Sequence, residues 1–126
     1  MQDDEAYIGA VLLIGTCFLL AGTLLWSTRA AMSGRLGPNL LAGIRITSTL
    51  RDGSAWRAGH AAAWPIVRVA AATSVILGLV ALILVLLRHP LPATAVAFLP
   101  VVVVLITVVP TVRRARLASE AAPPGD

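Results

Sequence analysis

Between Arg68 and Arg88 the chain reads VAAATSVILGLVALILVLL, residues 69–87, without a single charge. At 1.5 Å per residue a helix of that length covers about 28 Å, close to the hydrocarbon thickness of a bilayer. Two more stretches of this kind flank it. Upstream, Tyr7 to Trp26 is charge-free and closed at each end by an aromatic residue, the type that prefers the headgroup region. Downstream, Leu91 to Val112 ends against Arg113, Arg114 and Arg116. In lipid each backbone amide must be paired within its own segment, so the three spans are read as helices. Transmembrane strands would need segments of about ten residues alternating apolar and polar, a pattern the chain lacks.

Composition agrees. The 126 residues are 58% hydrophobic and 13% charged, with a mean hydropathy of +0.88. A soluble domain runs about 45–50% apolar and about 25% charged, so too little polar surface remains here to cover a globule. Disorder needs the opposite composition. The expected fold is an all-α transmembrane three-helix bundle, with helices at about 7–26, 66–87 and 91–112. A structured cytoplasmic loop, 27–65, joins the first two. Residues 1–6 are expected to form an extracytoplasmic N-terminus and 113–126 a disordered cytoplasmic tail.

The arginines set the expected orientation. Arg29, Arg35, Arg45, Arg51 and Arg57 stand in the first loop against Asp52 alone, and three more follow the third span. Asp3, Asp4 and Glu5 precede the first span. The positive-inside rule therefore puts the loop and the C-terminus in the cytoplasm and the N-terminus outside, in a multi-pass protein of the cell membrane. A secretory signal has a basic start and a shorter apolar core, so the first span is read as a retained helix. The net charge of +4 reflects membrane edges and anionic-lipid contact, with no aromatic interleaving that would suggest nucleic acid.

Asp52 is the expected N-cap of the second helix, with Ser54 as a competitor. A helix from there to Leu87 is too long for one straight crossing, so Pro65 is expected to bend it and lay Gly53–Trp64 along the inner interface. Ala70, Ser74 and Gly78 recur every four residues as a small-residue ridge for helix packing. That ridge serves either this subunit's own helices or a homo-oligomer. Pro100 and Pro110 fall within and near the end of the third helix, where a kink is expected. The Ala-Ala-Pro-Pro-Gly-Asp ending is expected to be disordered.

Chemistry is sparse. The carboxylates all lie outside the spans, which disfavours proton-coupled transport. One cysteine, Cys17, and two separated histidines make no metal cluster. Neither a phosphate loop nor a nucleophile–base spacing is present, so no enzyme and no cofactor are expected. The loop is richer than a connector requires. It holds Pro38-Asn39, Gly43-Ile44-Arg45, Thr49-Leu50, Trp56 and His60. Trp56, His60, Trp64 and Arg68 share a helical face, either as an interfacial belt or as a docking surface. Arg45 offers a forked cation suited to a carboxylate or to carbonyls, and Trp56 with His60 is expected to form the other wall of that site.

This ordered set resembles the signature loop of the SdpI-type membrane proteins, whose pattern runs roughly P-N-x-x-x-G-I-R-T-P-W-T-L before a W-x-x-x-H or W-x-x-x-N helix start. Spacing from Gly43 to His60 matches without a gap. Ile46, Thr47 and Ser48 depart from the pattern's Thr, Pro and Trp. Gly53 and Ser54 replace a common acidic pair, and Ala61 a frequent Arg. The likeness covers roughly residues 10–87, with the third helix largely outside it. It implies a membrane protein that binds a toxin peptide or a cytoplasmic regulator, as in immunity and signalling. Asn39, Gly43, Arg45, Thr49, Trp56 and His60 are the candidate partner-binding residues. The alternative is an accessory subunit of a larger membrane complex.

Overall fold

The computed structural model describes residues 2–125. They form three helices, α1 (Gln2–Met32), α2 (Gly53–Leu86) and α3 (Pro90–Ala121), and no strand among the described residues. All three are long and apolar enough to cross a membrane. The chain is thus an all-α three-helix membrane protein.

Every helix outruns its apolar core. The 34 residues of α2 amount to about 51 Å, well beyond a hydrocarbon slab of about 30 Å. The surplus in α2 is Gly53–Arg68, which carries Arg57, His60 and Arg68; the charge-free stretch suited to hydrocarbon begins after Arg68. Pro65 does not interrupt α2, and Pro100 and Pro110 do not interrupt α3.

The stops have local causes. Gly34 takes a left-handed φ of 77° just past α1, while the Leu36 N–H reaches back to Ala30 O at 2.9 Å. A glycine there satisfies orphan carbonyls without a Cβ penalty. Between α2 and α3 the left-handed residue is Arg88, φ 65°, and the His89 N–H closes on Leu84 O at 2.8 Å. Pro90 opens α3, where its missing N–H costs nothing.

The third helix corrects the expected tail. Instead of ending near Val112, α3 runs to Ala121. Arg113–Ala121 is rich in Arg, Ala, Leu and Glu, all good helix formers, and Arg116 pairs with Glu120 one turn on at 2.7 Å. Beyond the helix the chain is held too. Arg51 Nη2 donates to Ala122 O at 2.9 Å, and Ser54 Oγ lies 2.5 Å from Pro123 O.

Two compact units divide the chain, each drawing on all three helices. In the first, formed by residues up to Gly22 with Ala70–Ile106, Ile14, Cys17, Ala81 and Ala97 make a buried cluster. The Cys17 thiol donates to Ala97 O at 3.1 Å. Ala70, Ser74 and Gly78 are buried here, and a Cβ added to Gly78 would stand 3.3 Å from Phe18 and 3.5 Å from Cys17 Cβ. At Gly78 the ridge therefore packs on α1 of the same chain. The second unit, Thr23–Val69 with Thr107 onward, is centred on Ala63, Val67 and Ala115, covered by Leu24, Ile44 and Ile46.

Candidate functional site: the loop between the first two helices

The loop lies in the second unit and is fastened at the start of α2. Asp52 is the N-cap, because its Oδ1 accepts the Ala55 N–H at 2.9 Å. Ser54 supports that cap, its hydroxyl lying 2.6 Å from the same oxygen. Arg51 Nε meets Oδ2 at 2.7 Å. The Ala55 N–H first, then Ser54 and Arg51, hold this carboxyl far below the usual carboxylate range.

One turn into α2 comes Trp56, wholly buried, whose Nε1–H donates to Leu36 O at 2.6 Å. His60, also wholly buried, tilts against it with ring centroids 4.2 Å apart. Its Nε2 accepts the Ile44 N–H at 2.8 Å, so Nε2 carries no proton. Nδ1, 2.7 Å from Trp56 O, is then the donor. The partners thus assign the neutral Nδ1–H tautomer. His60 precedes the charge-free stretch of α2, and its burial pushes the imidazole below its ordinary value.

Gly43 closes the lock from the loop side. Its φ is 98°, and a Cβ there would sit 2.6 Å from His60 Nε2 and 3.0 Å from the Trp56 ring. Only glycine fits both the backbone and the space. Thr49, buried, shares its Oγ1 proton between Ile44 O at 2.7 Å and Ile46 O at 3.0 Å, and accepts from the Ile46 N–H at 3.1 Å. Beneath it Gly59 lets the backbone of α3 approach: a Cβ would meet Thr49 Cγ2 at 2.7 Å and Ala115 O at 3.2 Å.

Four of the six candidate residues, Gly43, Thr49, Trp56 and His60, therefore come together in one buried lock. Asn39 and Arg45 do not join it. Asn39 Oδ1 accepts the N–H groups of Leu41 and Ala42, each at 2.9 Å, while Nδ2 donates to Gly37 O at 2.8 Å. Arg45 is exposed and donates from Nη1 to Leu40 O. The expected site with Arg45 facing Trp56 and His60 is thus not formed: both rings spend their polar atoms on the backbone. Trp64 carries the Arg68 guanidinium 6.0 Å from its ring centroid, as an interfacial pair would.

Sequence reasoning passed over Leu40 and Leu41. They are 75% and 91% exposed at the tip of a loop whose backbone is pinned on both sides. The signal was available, since two leucines directly after Pro38-Asn39 in a connecting loop have no core to enter. Among the described residues no group of three or more His, Cys, Asp or Glu is placed to hold a metal.

The helices define a small integral membrane protein, and the Gly43–Trp56–His60 lock at the α1–α2 junction is its most specific feature. The family model for the SdpI/YfhL protein family matches residues 35–113, and the chain belongs to that family. The match corrects the expected extent of the likeness: it takes in the lock and most of α3 but leaves α1 outside. No curated protein and no solved structure matches the chain.

Proposed function

We propose that the loop between α1 and α2 is a binding platform for a polypeptide, either a toxin peptide or a cytoplasmic regulator, in an immunity or signalling role rather than a catalytic one. The observation that carries this reading is the exposed Leu40–Leu41 tip beside Arg45. Two bare leucines and a cation on a loop fixed by Asn39, Gly43, Trp56 and His60 form a preorganised apolar and basic surface, which lowers the ordering cost of binding. Arginine asymmetry supports a cytoplasmic position for this loop and for the C-terminus, with the N-terminus outside. His60 has both ring nitrogens engaged, which suits a structural part better than an acid–base one.

The test is a photoreactive benzoylphenylalanine in place of Leu41, irradiated in native membranes. A crosslinked polypeptide that disappears with Arg45→Lys, at unchanged abundance, supports the reading, because lysine keeps the charge but loses the fork. Crosslinks to lipid alone overturn it and make the leucines an interfacial anchor. The second reading, an accessory subunit of a larger membrane complex, draws on α3, whose apolar window is only 11% buried. Crosslinks at Leu105 or Val109 to another membrane protein, with none at Leu41, select it.

A further inference from the structure

A cleft of about 690 Å³ opens in the second unit between the end of the loop and the last turns of α3. It is lined on one side by Thr47, Ser48 and Arg51 and on the other by Val112, Arg116 and Glu120. We propose that this cleft binds a phosphate-bearing anion, the headgroup phosphate of an acidic phospholipid, gripped by Arg51 and Arg116.

Three observations carry the assignment. First, both guanidiniums have donors to spare. Arg116 commits Nε to Glu120, and Arg51 commits Nε to Asp52 and Nη2 to Ala122 O. A guanidinium offers five N–H donors in a fork that matches phosphate geometry. The Arg116–Glu120 pair is exposed, and exposed i,i+4 pairs are weak, so an anion rearranges it at little cost. Glu120 is the one carboxylate lining the cleft, and its charge already faces the Arg116 guanidinium.

Second, Ser48 Oγ is buried and has no hydrogen-bond partner, the only such side-chain atom among the described residues. Buried hydroxyls are ordinarily bonded. Ser48 lines the cleft, and its unspent hydroxyl is the group an incoming phosphate oxygen would satisfy. Third, Val108, Val112 and Arg116 follow at four-residue intervals on one face of α3. Val108 is 45% exposed, so this face gives an acyl chain an apolar track ending at the arginine. A free phosphate makes no use of that track, which favours the lipid as source.

The full-length protein, purified in a mild detergent, is melted against dihexanoyl phosphatidylglycerol, dihexanoyl phosphatidylcholine, glycerol phosphate and inorganic phosphate. The phosphatidylglycerol is expected to raise the melting temperature saturably and the phosphatidylcholine not to. Arg116→Gln weakens the apparent affinity about tenfold or more, as loss of a charge-assisted bond does. Arg113→Gln, outside the cleft, keeps the shift. Ser48→Ala melts no earlier than the wild type without ligand, since it removes an unpaired hydroxyl, yet responds less to the lipid. An equal shift with inorganic phosphate assigns the site to free phosphate instead. If phosphatidylcholine acts as well as phosphatidylglycerol, or if Arg116→Gln and Ser48→Ala respond like the wild type, the assignment is overturned.

Discussion

His60 Nε2 accepts the backbone N–H of Ile44 at 2.8 Å, sixteen residues earlier in the chain. The bond ties a helix side chain to the loop at the residue after Gly43, where the backbone turns left-handed. Loop and helix start are therefore one mechanical unit, and changes on either side should be felt on the other.

Gly43→Ala should be among the most damaging small substitutions in the loop. A left-handed alanine costs about 1–2 kcal/mol, and a Cβ placed 2.6 Å from His60 Nε2 adds overpacking of about 1–3 kcal/mol. The expected total is about 2–5 kcal/mol, read as an earlier unfolding midpoint in detergent. Gly37→Ala, with nothing within 4 Å of its Cβ, should cost little. Equal effects at the two glycines would remove the lock from the explanation.

Mild acid should loosen the same junction. His60 is held neutral, its folded value lying below the ordinary 6.5. Its contribution is then fully present above the unfolded value and is lost as pH falls through 6.5 toward the folded value. Protonated Nε2 would face the Ile44 N–H with a second N–H. Hydrogen exchange at Ile44 should accelerate over that range, and His60→Gln should abolish the dependence. The Asp52 cap does not interfere, because its carboxyl is held far below 3.8.

Gly78→Leu separates packing within the chain from packing between chains. A Cβ added there would already stand 3.3 Å from Phe18 and 3.5 Å from Cys17 Cβ, so a leucine must displace α1. The melting temperature in detergent should fall clearly at unchanged oligomeric state. A loss of self-association with no change in melting would put a second copy, not α1, against the ridge.

Orientation is tested by thiol labelling in a Cys17→Ser background. Asp4→Cys and His89→Cys should react with an impermeant reagent added from outside. Ser33→Cys and Glu120→Cys, both at exposed positions, should react only after the membrane is opened. The reverse pattern would invert the positive-inside assignment.

The three spans were legible because each is a charge-free run of bilayer length, a signal set by solvent and not by neighbours. Their ends were less so. Helix propagation past the apolar run depends on caps and propensity, which is why Asp52 could be named as the start of α2 while Arg113–Ala121 was mistaken for tail. The i, i+4 spacing of Trp56 and His60 placed them side by side. Spacing fixes which side chains are neighbours, not what covers them, so the loop that buries both could not be read from it. Leu40 and Leu41 had no periodicity to attract notice and became visible only as exposed surface.

The hydrogen bond from Arg51 to Ala122 O and the 2.5 Å approach of Ser54 Oγ to Pro123 O also bear on biosynthesis. The entry to α2 has all its contacts only after residues 122 and 123 have left the ribosome. The junction that α2 helps to form is therefore completed only once α3 and the two residues behind it have been made, however early its own residues were. A reporter fused close behind Pro123 would crowd the same turn, so an activity assay on such a fusion would measure a disturbed junction.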